Sequence, residues 1–329
     1  MQRRTLLAAG LAMPALAAPA LAARAQPAPS AAWPNDKPVE VIVPYPPGGG
    51  VDILARLVMP VVAERIPGLR TVVTNRAGAA GQIGLEVLFN AAPDGYILGA
   101  TTMPAHSGIP LERPARYRAL DFTFLANIVE DPNCIYVRAD SPLRSLADLI
   151  AQARAKPGSI EYGTTGIGSD DHILMLEFEA AAKLPPLTHV PFAGSAPLIP
   201  QLLGGHIAAG VGNTTELVTL SREGKLRGLA IAADRRAADL PELPTFRELG
   251  FEVVASAQRG IIAPPGLPPA ITARLEAAFR EALADPGFKA EMARQFMPMR
   301  PLVGADYKAE AARVDARLQA LWKVRPWRG

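Results

Sequence analysis

The residues of this chain best placed to do chemistry lie in glycine-rich turns. The β-branched run Val39–Val43 leads into Pro44-Tyr45-Pro46-Pro47-Gly48-Gly49-Gly50-Val51-Asp52. Beyond it Ile53, Leu54, Leu57, Val58, Val61 and Val62 recur at helical spacing. The prolines cannot continue a central strand, and the glycines let a ligand approach the main chain. A strand, a glycine turn and a helix start present free backbone N–H groups and a positive dipole end, which suits an anion. The same layout returns at Glu161–Thr165, then Gly166-Ile167-Gly168-Ser169-Asp170-Asp171-His172, then Ile173, Leu174, Leu176 and Phe178. An ordinary β–α turn of an α/β domain reads the same way, so this pattern permits anion binding without requiring it.

Other chemistry finds little support. There is no GxSxG elbow and no GxxxxGK[ST] loop. Gly78, Gly81 and Gly84 are spaced GxxGxxG, not as a dinucleotide fingerprint. The four histidines, His106, His172, His189 and His206, are too far apart in sequence to share one helix turn as metal ligands. Ser169 and His172, three residues apart at a helix start, read as a cap and a packing or ligand-bonding residue before they read as nucleophile and base. No catalytic residue, metal or cofactor is expected.

The elements that must position these turns follow in order. Residues 1–25 read as a secretory signal peptide: Arg3 and Arg4, an apolar run from Leu6 to Leu21, and a small-x-small site ending at Ala25. The paired arginines also fit a twin-arginine signal. The formal charge of +3 includes three arginines in this leader, so the mature chain is near 3 − 3 = 0, and no basic excess argues for nucleic acid. The single cysteine, Cys134, excludes an internal disulfide and reads as a small packing residue in a strand. Strands at 71–74, 96–101, 161–165, 188–191, 208–212 and 226–233 alternate with helices, which argues for mainly parallel sheets covered on both faces. Ser145 is expected to cap a helix over Leu146–Ala155. Residues 213–216 read as a loop. Phe122–Val137 and Val253–Ile262 read as two long crossings between lobes. The expected boundaries are 26–132 for the first part of lobe one, 133–254 for lobe two and 255–329 for the remainder of lobe one.

Several short patterns then occur in order along the mature chain: Trp33-Pro34, Lys37-Pro38, Val43–Gly50 with Asp52, Ala55 and Arg56, Asn75-Arg76 with Gly78–Gly84, and Pro93-Asp94-Gly95-Tyr96. They continue with Gly168-Ser169 and His172, His189–Phe192 with Gly194, Ala196 and Pro197, Leu203-Gly204-Gly205, Gly224–Arg227, Leu240-Pro241, Pro244-Thr245 and Ala263-Pro264. In this series the chain resembles the substrate-binding proteins of tripartite tricarboxylate transporters, the Bug family. The resemblance implies a type II periplasmic-binding-protein fold, α/β, with two lobes around a ligand cleft and two crossing strands. It implies a periplasmic monomer that takes a small organic acid, held by loop N–H groups and water, for membrane transporter subunits. Carried over residue by residue, it places Tyr45, Gly48, Gly49 and Asp52 in the lobe-one loop and Thr101 at a strand end. It places Thr165, Gly168, Ser169 and His172 in the lobe-two loop, with Phe192 and Asn213 beside them. Asp52 also fits a first-turn helix acid, and His172 a packed loop residue.

Asp170 and Asp171 depart from the family pattern. They are expected first as helix-dipole partners on the solvent side; otherwise they disfavour a second ligand carboxylate and select a monocarboxylate or a ligand with an amine. A sensor that presents its closed form to a signalling partner would carry the same sequence. An α/β enzyme is disfavoured for want of catalytic motifs.

Overall fold

The computed structural model describes residues 33–327, and the signal-peptide expectation for residues 1–25 lies outside them. Strand β1 (Val39–Val43) pairs in parallel with β2 (Thr71–Asn75) and β3 (Ile97–Met103). Its alternation assigns the two faces of the first sheet. Val39, Val41 and Val43 join one core with helix α1 (Gly50–Ala63) and helix α8 (Pro269–Ala284). Ile42 joins the opposite core with α2 (Gln82–Phe89), α3 (Ala105–Glu112) and α10 (Ala305–Val324). A strand covered by helices on both faces is the reason β1 reads as a nearly continuous apolar run.

Antiparallel strands close this sheet. β9 (Ser256–Ala263) pairs with β3 and with the first half of β4 (Thr123–Arg138), whose other edge takes β10 (Met299–Val303). At 16 residues β4 is long enough to belong to two sheets. Its second half pairs with β7 (Ala209–Asn213) and β8 (Leu226–Ile231), and the second sheet continues through β5 (Glu161–Thr164) to β6 (Thr188–Pro191). Alternation again divides the faces. Ile135 and Val137 pack with α4 (Leu146–Ala155) and α5 (Asp170–Ala181), while Cys134 and Tyr136 pack with α6 (Ser195–Leu203) and α7 (Thr214–Arg222). Cys134 is buried and free, and burial pushes its thiol pKa well up. The molecule is therefore a two-lobed α/β protein, with β4 running through both lobes and the chain returning through residues 253–256 into β9.

Ser145 caps α4 as expected, its hydroxyl accepting from Asp148 N. Four elements escape the periodicity reading. α3 is short, contains Gly108 and Pro110, and is buried along its first turns, so it shows no stripe. Residues 214–222 form α7 where a loop was expected at 213–216. Two opening threonines are weak helix formers, but Asn213 N–H donates to Glu216 at 3.1 Å and fixes the start. β10 and α9 (Pro286–Arg294) are short and interrupted by Pro301 and Gly287.

α10 leaves its own lobe at its C-terminal end. Leu318 and Trp327 pack on Ile173 of α5, and Arg317 and Arg325 pair with Glu177 and Glu179 of that helix at 2.9 Å. Trp322 is partly buried there, edge-on to Trp327. No described helix is long and apolar enough to cross a membrane.

Candidate functional site

Strand parity decides which residues face the cleft. On β9, Ala257 and Arg259 line a cavity between the lobes, while Ser256 and Gln258 line a larger one on the opposite face. On β3, Thr102 pairs with Arg259 and lines the first cavity, while Met103 lines the second. The interlobe cavity encloses about 40 Å³ and is bounded by Tyr45, Gly49, Thr165, Asp170, Ser195 and Arg259 among others. The larger spaces, about 1010 and 580 Å³, lie against the far side of β4 and β9; no glycine lines either, although Asp170 borders the 580 Å³ space as well as the interlobe cavity. Volume favours them, but the interlobe cavity is where the anion-suited turns meet, so it is the candidate site. Its volume holds a water or two, so a solute the size of an organic acid needs the lobes to part.

Four helix starts converge on this cavity. Gly49–Val51 open α1, Asp170 opens α5, Gly194–Ala196 open α6, and Asn213 and Glu216 open α7. They fall into two kinds. The N-caps of α1 and α6 are Gly49 and Gly194, and neither start has a side-chain cap. Their first-turn N–H groups are available to an anion. The other two starts carry acids. Ser169 caps α5 by accepting from His172 N, with Asp170 and Asp171 in the first turn, and Glu216 closes back on α7. The two bare starts meet across the lobes: a Cβ built on Gly49 would lie 3.5 Å from Ser195 Oγ. Gly194, at φ +125°, keeps a conformation other residues avoid while its backbone reaches Pro46.

Behind the acids lies one buried cation. Arg259, 3% exposed, donates to Asp131 Oδ2 at 2.9 Å and to Asn213 Oδ1 at 2.7 Å. α1 starts directly against it, since a Cβ on Gly50 would stand 2.7 Å from the guanidinium carbon. Asp171 accepts from Asn133 Nδ2 at 2.8 Å and from the N–H and hydroxyl of Thr165 at 3.0 and 2.6 Å. Burial and the neighbouring Asp170 nevertheless push its pKa well up. Asp170 accepts from Asn133 at 2.6 Å and Asn213 at 3.1 Å. The solvent-side reading of Asp170 and Asp171 is therefore corrected: they are 4% and 0% exposed, because α5 is entered from the cleft.

The eleven residues expected at the site divide by this geometry, with Tyr45, Gly49, Thr165 and Asn213 lining the cavity. Burial, with Asp170 and Asp171 nearby, pushes the Tyr45 phenol pKa up. The other seven do not line it. Asp52 turns back on its own loop, accepting from Gly48 N at 2.9 Å, Asn75 Nδ2 at 2.8 Å and Arg56 Nε at 3.1 Å. Burial raises its pKa, but these donors outweigh it and the carboxyl titrates below its ordinary value. Thr101 bonds His106 Nδ1 at 2.7 Å in the core, one residue out of register with the cleft. Gly168 N donates to His172 Nδ1 at 3.1 Å, and His172 stacks on His189 with centroids 4.2 Å apart. Gly168 abuts Gly108 and Trp327, Ser169 is a helix cap, and Phe192 packs at the edge of the α6–α7 core. Sequence reasoning did not single out Thr102, Ser195, Glu216 or Arg259. A signal for Arg259 was present: an arginine inside a buried apolar strand requires a partner. Among the described residues no cluster of three His, Cys, Asp or Glu could hold a metal ion.

Comparison with known proteins supplies the context. A family model described as the tripartite tricarboxylate transporter family receptor matches residues 54–306. Protein BugT of Bordetella pertussis is 35% identical over 251 residues, 75% of this chain and 76% of that protein. MatC from Rhodopseudomonas palustris, solved with bound malate, superposes with a TM-score of 0.77 at 27% identity, covering 87% of this chain and 97% of its own. A second R. palustris protein, solved with adipate, superposes at 0.79 with 28% identity, covering 89% and 96%.

Proposed function

Because the chain belongs to the tripartite tricarboxylate transporter receptor family, a family of solute receptors and not of enzymes, we propose that it captures a small organic carboxylate in the interlobe cavity and delivers it to a membrane transporter of that type. One observation carries this reading: the uncapped starts of α1 and α6, one from each lobe, meet at the same cavity. A carboxylate seated between them accepts hydrogen bonds from both lobes and rewards closure. The malate and adipate held by its structural relatives are of that chemical class. The lobes divide near residues 132/133 and 254/255, where β4 passes between sheets and the chain returns before β9. The leader, residues 1–25, directs export to the periplasm and is removed after Ala25. The mature protein acts as a monomer.

The test is a thermal-shift screen of mature protein stripped by denaturation and refolding. It is run against mono-, di- and tricarboxylates, malate and adipate included. A ligand at 100 times its Kd adds roughly 2.7 kcal/mol. At about 2–4 °C per kcal/mol for domains of this size, the shift is several degrees. A flat response across every carboxylate refutes the reading.

A further inference from the structure

The walls of the interlobe cavity differ in charge. Where α1 and α6 begin, the lining residues are Gly49, Gly50, Val51, Gly194, Ser195 and Ala196, with no charged side chain. The charged lining residues are Asp170, Glu216 and Arg259, with Arg259 standing against the α1 start at Gly50. Most of these charges are already used. Arg259 is bound to Asp131 and Asn213, both oxygens of the adjoining Asp171 accept donors, and Glu216 holds Asn213 N–H. Asp170 differs. Both amide donors it receives fall on Oδ2, which leaves Oδ1 without a partner among the described residues, although the residue is only 4% exposed and lines the cavity. A carboxylate oxygen that lines a cavity needs a donor once closure dries that cavity. A second polar group points the same way. Thr102, 7% exposed, lines the cavity from β3, and its hydroxyl forms no hydrogen bond among the described residues.

Resting on the receptor reading above, we infer that Asp170 sets specificity. The ligand is a carboxylate that carries an N–H donor, ammonium or amide, at the end away from its carboxylate. Oδ1 of Asp170 accepts that N–H, beside the Thr102 hydroxyl. The carboxylate goes to the bare starts of α1 and α6, where N–H groups are free. A second carboxylate would meet Asp170 in a cavity that closure dries, where the one lining cation among the described residues, Arg259, is already paired with Asp131. An N–H donor satisfies Oδ1, so the cavity reads the two ends of its ligand by opposite chemistry.

The experiment is isothermal titration of stripped wild-type protein with matched sets of two to six carbons. One such set is glutarate, γ-aminobutyrate and glutaramate; another is succinate, β-alanine and succinamate. The expected result is that the amino or amide acid binds at least tenfold more tightly than the dicarboxylate of the same length. Asp170→Asn should shrink that ratio at least tenfold. Preference for the ammonium within a set assigns a charge pair, and preference for the amide assigns a neutral hydrogen bond. A dicarboxylate that binds as well as or better than its matched partners overturns the inference and leaves the carboxylate receptor standing. A wild-type preference that Asp170→Asn leaves unchanged overturns the role of Asp170. Binding of no carboxylate at all sinks the inference and the receptor reading together. The wild-type selectivity needs no variant, so a poorly folding Asp170→Asn does not shield the inference.

Discussion

The lobe-one loop, Tyr45–Asp52, and the lobe-two loop, Thr165–His172, share a layout of strand, glycine turn and helix start, yet they treat charge in opposite ways. In lobe one the first-turn acid, Asp52, folds back onto Gly48, Asn75 and Arg56, and the helix start itself stays bare. In lobe two the first-turn acids sit in the cleft wall, and the loop is built around them through Thr165, Asn133 and Asn213. A helix start supplies a field and a set of donors. Whether that field reaches a ligand depends on where the nearest carboxylate points. Two similar motifs can thus serve as an anion seat and as an acidic wall in one cavity.

The largest expected effect tests what holds the acidic wall together. Among the described residues Arg259 is its one charged donor, and the Asp131 that it bonds is 0% exposed. Removing one partner of a buried pair leaves an uncompensated charge, at a cost of about 3–5 kcal/mol. Arg259→Leu should lose that much in urea unfolding. A loss under about 1 kcal/mol would mean that the wall does not depend on its cation.

Acid should separate the two loops. Burial, with repulsion from His189 and Arg325, lowers the His172 pKa to about 3, and burial lowers that of His189 to about 4. Between about 6.5, the ordinary histidine value, and these values, only the unfolded chain takes up the protons. Stability is therefore full above about 6.5 and falls as pH drops through this window. The slope is up to about 1.4 kcal/mol per pH unit for each histidine. The lobe-one carboxylate behaves differently. Asp52 titrates below its ordinary value, so its contribution is complete above about 4 and is lost only as pH falls through the folded value. In urea melts at stepped pH, His189→Gln should flatten the curve between about 6.5 and 4. Asp52→Asn should flatten it only below about 4. A His189→Gln curve parallel to wild type would contradict the buried, neutral stack.

The smallest effect tests parity on β3. Thr101→Val removes the hydroxyl that bonds His106 in the core and should cost about 1 kcal/mol of stability with ligand affinity unchanged. Thr102→Val should leave stability within about 0.5 kcal/mol and change affinity instead. Denaturant midpoints and titrations on both variants check the assignment, and an exchange of the two outcomes would place Thr101 in the cleft.

Much of the frame is legible in the sequence because its signals are local. The run Val39–Val43 sets β1, Ser145 caps α4, and the glycine turns fix how α1 and α5 are entered. Such features depend on residues within a few positions, where period, dihedral preference and capping act. Even the presence of acids at the start of α5 can be read directly. What tertiary structure alone decided is convergence and parity. Asp170 meets Asn133 and Asn213 from 37 and 43 positions away, and Arg259 meets Asp131 from 128. No local period encodes those encounters. Thr101 and Thr102 have identical side chains, and only the pairing of β3 with β9 turns one into the core and the other towards the interlobe cavity. The sequence determined that helix starts would be available to an anion. Packing determined which were left bare, because the placement of each nearby carboxylate depends on partners far along the chain.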